Sequence, residues 1–327
     1  MRRREFLAAV AGSLAATPRA RATPRSHPVI GYLYAGSLGP DPGAAGQGFW
    51  KGVAEQGYVR GRNVGVEYRE AKNDLRQLRD LARDLVRREV SVIYVPASGP
   101  AVHAAKAATD TIPIVFVNSG DPIRMGFVTS LSRPGGNVTG VGDFGNDLSA
   151  KRLELIKQLV PTASRIGILV PRSYIGLVRD VERAREAVSA LSLETAASLV
   201  RTPEEIDAAV ASFAQDRMDG LYFTPGPMFF GARERLAREA ARYRLPAVYS
   251  FSEFAQAGGL MSYGISGTVR AYEAGRYIGL ILNGANPAEL PVRRLTKFEL
   301  ALNLSAAREI GLTVPARFLA LTDRVVE

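Results

Sequence analysis

Short apolar runs recur along the chain, separated by longer stretches in which apolar residues return every three or four positions. The runs read VIGYLY (29–34), VGVEY (64–68), SVIYV (91–95) and PIVFV (113–117), then RIGILV (165–170), GLYF (220–223) and PAVYS (246–250). Their length, and their content of β-branched and aromatic residues, predict strands buried on both faces. The stretches 75–88, 149–159, 174–191, 204–215 and 230–243 are amphipathic and predict helices. Strands alternating with helices imply parallel sheets covered on both sides.

The two halves echo each other. VIGYLYAGS (29–37) resembles RIGILVPRS (165–173), with Ile30 matching Ile166 at an offset of 136. Pro96 of VIYVPASGP matches Pro225 of LYFTPGP at an offset of 129, and Pro113 matches Pro246 at 133. Three matches in one order at similar offsets point to two lobes of one α/β design, with a period far beyond that of a solenoid repeat.

In open parallel sheets ligands bind beyond the carboxyl ends of the strands. The loops after the matched strands are 34–40, 96–100 and 118–124 in one lobe, and 171–176, 224–230 and 250–254 in the other. If the lobes face each other, these six loops line one cleft. The buried run Ile114 to Val117 gives way abruptly to Asn118, Ser119, Gly120, Asp121 and Pro122, a polar turn that would form one wall of it. Asp121 also fits a second role, capping the turn beside Pro122.

Composition adds mainly exclusions. The chain has 327 residues, 46% hydrophobic and 23% charged, enough for two domains. It has no cysteine, which excludes disulfides, thiol nucleophiles and cysteine metal sites. Two histidines, His27 and His103, leave a histidine-built metal site without ligands, and His103 in AVHAAKAA suits a helix surface. The net charge is +10, but the first 22 residues hold five Arg and one Glu, which leaves +6 for the rest. Arg76, Arg79, Arg83 and Arg87 share a helical face with Asp80 and Asp84 interleaved, while Leu75, Leu78, Leu81 and Leu85 form the apolar face. That is a solvated amphipathic helix, and no basic–aromatic pattern supports nucleic-acid binding.

Catalytic motifs are missing. DPGAAGQGFWKG (41–52) matches neither G-x-x-x-x-G-K-[ST] nor G-x-G-x-x-G, so a glycine-rich start to the first helix is expected there. GISGT (264–268) departs from the nucleophile elbow G-x-S-x-G at its last position. No H-E-x-x-H occurs, and no cofactor is expected. A cleft with polar loops and no catalytic machinery favours binding over catalysis.

The chain opens MRRREFLAAVAGSLAATPRARA. A basic start, a short segment of small and apolar residues from Phe6 to Ala16, and an A-x-A site at Ala20–Ala22 form a secretory signal peptide over 1–22. Arg3-Arg4-Glu5-Phe6-Leu7 resembles the bacterial twin-arginine signal. Without a cysteine after the cleavage site no lipid anchor is expected, so the mature protein is expected in a periplasm.

Five stretches resemble the bacterial ABC-transporter substrate-binding proteins of the type whose best-described members take up aromatic amino acids. They are GYVRGRNVGVEYR (57–69), IPIVFVNSGDPIRMGFVTSLSRPGGNVTGV (112–141), AKRLELIKQLVP (150–161), EFAQAGGLMSYG (253–264) and LPVRRLTKFELALNLSAAREIGLTVP (290–315). The resemblance implies a type I periplasmic-binding-protein fold, two similar doubly wound parallel-sheet lobes joined by a three-strand hinge. The candidate crossings are 137–145, 256–264 and 292–300, two of them glycine-rich. They divide the chain into 28–142 plus 258–291 and 143–257 plus 292–327. The implied function is a monomeric receptor that closes on a small molecule and delivers it to an ABC permease driven by its ATPase. A sensory module of the same fold is the second reading. An exported α/β hydrolase, the third, would need a nucleophile–base pair that the sequence does not show.

The expected ligand is amino acid-like or aromatic. Tyr32, Tyr34, Phe144, Tyr174, Phe229 and Phe251 lie on or near the pocket loops as stacking candidates. Ser37, Ser98, Ser119, Ser173, Thr224 and Ser252 offer hydroxyls, and Asn118 an amide. Backbone amides at helix starts, as at Gly99, would hold a carboxylate. Asp121 or Glu253 would take an ammonium.

Overall fold

The computed structural model describes residues 27–37, 43–118, 120–143, 148–172 and 191–327. The expected signal peptide and most of the expected 174–191 helix lie outside them. The apolar runs form strands with small shifts at their ends. In the first lobe these are β1 (Val29–Tyr34), β2 (Gly65–Glu70), β3 (Val92–Val95), β4 (Ile114–Asn118) and β5 (Val138–Gly142). With a two-residue strand, β11 (Arg293–Arg294), they pair in parallel in the order β11-β5-β4-β3-β1-β2.

Both faces of this sheet are covered, which is why its strands are apolar without interruption. On β4, Ile114 and Phe116 join one core with α2 (Leu78–Arg87) and α3 (Gly99–Ala108). Val115 and Val117 point the other way, into a core with α1 (Gly43–Ala54) and the long helix Gly267–Leu282. The leucine face expected on 75–88 is the buried one, with Leu78 and Leu85 wholly inside. The charged face is ion-paired, Asp84 accepting from Arg69, Arg87 and Arg88.

The second lobe contains α4 (Leu148–Leu159), β6 (Arg165–Pro171), β7 (Glu194–Val200), α5 (Glu205–Gln215) and β8 (Gly220–Phe223). It continues with α6 (Pro227–Gly231), α7 (Arg233–Arg242), β9 (Ala247–Tyr249), α8 (Ser252–Gln256) and β10 (Met261–Gly264). After α9 (Gly267–Leu282) in the first lobe, β12 (Glu299–Asn303) and β13 (Arg324–Val326) complete its seven-stranded sheet, ordered β13-β12-β10-β9-β8-β6-β7. The β10–β12 pair is antiparallel and the rest are parallel. The orders β2-β1-β3-β4-β5 and β7-β6-β8-β9-β10 are the same, and this explains the internal echo. Ile30 and Ile166 lie in equivalent strands, Pro96 and Pro225 follow the next pair, and Pro113 and Pro246 precede the third.

The chain passes between the sheets after β5, after β10 and between β11 and β12. Two of the expected boundaries shift. The second crossing lies after Gly264 and not at 258, because Met261 and Ser262 pair with Val248 and Tyr249 of β9. The third lies after Arg294 and not at 292, because Arg293 and Arg294 pair with Val141 and Gly142 of β5.

The glycine-rich stretch at 41–52 does open the first helix, and the structure supplies its purpose. A Cβ on Gly52 would fall on the Tyr272 carbonyl oxygen, one on Gly48 on that of Thr268, and one on Gly275 on that of Phe49. Helices α1 and α9 therefore touch backbone to backbone. Gly52→Ala is expected to lower stability by about 1–3 kcal/mol through overpacking. Gly136→Ala, with open space at its Cα, should stay within about 0.5 kcal/mol. Chemical denaturation reads both, and equal midpoints would show that the two helices part without cost.

Candidate functional site

A cavity lies between the lobes, at the carboxyl ends of both sheets. Water-sized spheres can place their centres in about 140 Å³ of it. One water needs only about 10–15 Å³ on that measure, so the space suits a small organic molecule. The first lobe contributes Tyr32 and Tyr34 from β1, Phe49 from α1, Tyr94 from β3 with Pro96 and Ala97 beyond it, and Asn118 at the end of β4. The second lobe contributes Pro225, Gly226, Pro227 and Phe230 after β8, and Phe251 after β9. The start of α9 closes one side with Gly267, Arg270 and Ala271.

The first-lobe wall is an aromatic cluster. Tyr32 meets Tyr94 edge to face at 5.0 Å between ring centroids, and Phe49 stacks on Tyr94 at 4.7 Å. Such contacts fix ring orientation as well as burying area. Burial pushes the phenols of Tyr32 and Tyr94 well up. It carries Tyr34 to about 12, helped by the Glu70 carboxylate and opposed by Arg233 of the second lobe. These phenols remain neutral hydrogen-bonding groups at physiological pH. Opposite them, Phe230 and Phe251 pack edge to face at 6.2 Å.

Among the described lining residues the charged side chain is Arg270. Its guanidinium stands 5.1 Å from the Phe251 ring centroid and is almost wholly buried. Asp143, at the first crossing, places Oδ1 3.7 Å from Arg270 Nη2, and both side chains are 4% exposed. Among the described residues no hydrogen bond reaches Asp143 Oδ1, nor Glu253 Oε2. No group of three or more potential metal ligands occurs among the described residues.

Of the residues singled out in the sequence, Tyr32, Tyr34, Asn118 and Phe251 line the cavity. Ser119, Phe144, Ser173 and Tyr174 lie outside the described residues. The others are not in its lining. Ser37 is exposed. Ser98 caps α3, its Oγ accepting from the Ala101 N–H at 3.3 Å, and Gly99 is the first residue of that helix. Thr224 Oγ1 donates to the Leu169 carbonyl at 3.2 Å. Asp121 caps its turn, accepting from the N–H groups of Ile123 and Arg124 at 3.0 and 3.2 Å. Glu253 holds the start of α9, its Oε1 accepting from Ser266 Oγ and the Thr268 N–H, both at 3.1 Å. Phe229 is wholly buried in the second-lobe core, and its neighbour Phe230 lines the cavity in its place.

Sequence reasoning missed Phe49, Tyr94, Phe230 and Arg270. Tyr94 and Phe49 read as ordinary core residues. Arg270 carried one usable signal, an arginine on the face of a helix whose other members, Ala271, Ala274 and Ile278, are buried.

Residues 39–326 match the family model described as ABC transporter substrate binding protein. A tyrosine-binding protein of Clostridioides difficile (strain R20291) is 29% identical over 265 residues, 81% of this chain and 75% of that one. The ABC domain in complex with L-Trp from Streptococcus pneumoniae has a TM-score of 0.81 at 26% identity, covering 92% of this chain and 100% of that one. The ligand-free, open structure of a substrate binding protein with adhesive properties from Clostridium difficile has a TM-score of 0.63 at 25% identity, covering 91% and 99%.

The two carboxylates considered for an ammonium both have structural work. For Asp121 that work accounts for the side chain. Asp121→Ala is expected to lower stability by about 0.5–2 kcal/mol, the usual cost of a lost cap. Ligand affinity, measured by calorimetry, should change less than about twofold, or 0.4 kcal/mol. A tenfold loss of affinity would return Asp121 to the binding site.

Proposed function

The chain belongs to the ABC transporter substrate binding protein family, and on that premise we propose that it is an exported receptor for a small aromatic, amino acid-like solute. It binds the solute between its lobes, returns it chemically unchanged and hands it to an inner-membrane permease driven by an ATPase. The observation that carries this is the cavity itself. Aromatic rings from both lobes face one buried cation at the carboxyl ends of the two sheets. The relatives support the solute class, one being named for tyrosine and another holding L-Trp. The TM-score is higher against the L-Trp complex (0.81) than against the open, ligand-free relative (0.63), which supports reading the lobes as closed.

Closure follows from the walls. A ligand that touches both lobes binds the closed form better than the open one, and only that difference can shift the balance. Native mass spectrometry of protein purified from its own host should reveal the bound solute. Its addition to ligand-free protein should shrink the radius of gyration in solution scattering. At one hundred times its dissociation constant it should add about 2.7 kcal/mol of stability. Asn118→Ala in the first lobe and Phe230→Ala in the second should each weaken binding at least about tenfold, 1.4 kcal/mol. Binding without compaction, insensitive to one of the two changes, would refute the clamp.

Export completes the reading. The basic start, the apolar segment and the A-x-A site of residues 1–22 support cleavage after Ala22, and Arg3-Arg4 supports the twin-arginine route. Among the described residues no helix is long and apolar enough to cross a membrane. Changing Arg3 and Arg4 together to Lys should leave the precursor in the cytoplasm on cell fractionation. A mature periplasmic product from that double variant would show a different route.

A further inference from the structure

We propose that Met125 is a site of reversible oxidation by peroxides, and that its sulfoxide lowers solute affinity by displacing the Asn118 side chain in the cavity wall. The inference rests on the receptor reading above and adds a control to its site. The chain has five methionines, Met1, Met125, Met218, Met228 and Met261. Met218, Met228 and Met261 are 6%, 4% and 0% exposed, whereas Met125 is partly buried at the edge of the first-lobe core. Oxidants attack side chains in order of access. Met125 is therefore the first of the described methionines to react.

The contacts of its sulfur give that reaction a consequence. Asn118 ends β4 and lines the cavity. Its amide nitrogen donates to the Gly120 carbonyl at 3.0 Å and to Met125 Sδ at 3.1 Å. A side-chain amide has two N–H groups, and both are used in this way. The carbonyl oxygen is what Asn118 has left to offer a solute. The sulfur is itself held in place. The Met125 N–H donates to the Asp121 carbonyl at 3.0 Å, and the Asp121 carboxylate caps the same turn through Ile123 and Arg124. A Cβ on Gly120 would fall 2.7 Å from Sδ, so the glycine leaves room for the sulfur and little more.

The step is a two-electron oxygen transfer. With hydrogen peroxide, a sulfur lone pair attacks one oxygen and the O–O bond breaks. The other oxygen takes the proton of the transferred one and leaves as water. Sulfur is oxidised to the sulfoxide, and the peroxide is reduced. A flexible apolar side chain becomes a polar one. Its sulfur is now the positive end of an S–O dipole, which repels the N–H it had attracted. The acceptor becomes the added oxygen, one bond further out, and the amide must swing to reach it. The carbonyl oxygen of Asn118 turns with the nitrogen, and the solute loses its acceptor. Methionine sulfoxide reductases undo the change.

The test treats full-length protein, cleared of bound solute, with hydrogen peroxide and locates sulfoxides by peptide mass spectrometry. Met125 should oxidise at least about tenfold faster than Met218, Met228 or Met261. In 15N spectra the Asn118 side-chain amide, identified by its loss in Asn118→Asp, should shift on oxidation and return after treatment with the reductases. Affinity for L-tryptophan and L-tyrosine, read by calorimetry, should fall about fivefold or more, the worth of one hydrogen bond, and recover in the same way. Where neither amino acid binds, the share of protein that still carries its host solute in native mass spectra is the readout. Met125→Leu has no sulfur there, and peroxide should leave its affinity at its own untreated value, with its melting temperature as the check on folding. The proposal is overturned if Met125 oxidises no faster than the three buried methionines, or if the Asn118 resonance stays in place. It is equally overturned if oxidised protein binds as tightly as before, or if peroxide weakens Met125→Leu as much as wild type. Failure of every solute to compact the protein refutes the receptor reading and with it the effect on affinity. The peptide map and the resonance then still decide whether Met125 is oxidised and moves Asn118.

Discussion

The contact between α1 and α9 is made by backbone, and the cavity depends on it. Gly48 and Gly52 on one helix, and Gly275 on the other, remove the side chains that would keep the two axes apart. The chain reaches α9 only after building most of the second lobe, so this contact returns it to the first. It also sets the first turn of α9, with Gly267 and Arg270, against the ends of β1, β3 and β4. Glu253 of the second lobe holds that turn from the other side through Ser266 and Thr268. The cation of the site is therefore placed by two lobes at once.

The electrostatics follow from that placement. Arg270, in the cavity lining, and Asp143, outside it, stand 3.7 Å apart and are each 4% exposed. Removing two charges from water costs several kcal/mol per ion unless each is paired and hydrogen-bonded.

The two lobes agree in strand order while their cavity walls differ. Strand order is the same in the two sheets because it is fixed by burial on both faces and by right-handed parallel crossovers. The loops beyond the strands carry no such constraint. Four rings, those of Tyr32, Tyr34, Phe49 and Tyr94, come from the first lobe, while the second supplies Phe230, Phe251 and a proline–glycine turn at Pro225–Pro227. Ala97 takes a left-handed backbone (φ 52°) at the cavity edge, a conformation uncommon for a residue with a Cβ.

The sequence by itself determined the two-lobed α/β plan, because strands buried on both faces must be continuously apolar. Ile30, Ile93 and Ile114 carry that signal without reference to anything distant. It also determined the side of the sheets on which the cavity opens, since that follows from strand direction. Strands β5, β7, β10 and β12 were not legible, being glycine-rich like VTGVG, at an edge like ETAASLV, or short like MSYG and ELALN. The lobe boundaries expected at 258 and 292 fall instead at Gly264 and Arg294 for the same reason, since pairing and not composition assigns a short strand to a sheet. Only the tertiary structure decided which polar side chains face the cavity. Ser98, Thr224 and Asp121 stand on the loops that sequence singled out, yet each hydroxyl or carboxylate turns to a backbone group a few ångströms away. Arg270 and Asp143 are 127 residues apart and meet because glycines let one helix lie against another. Local pattern fixes what a residue can form with its neighbours in the chain, and the partners of a buried charge are set by packing across it.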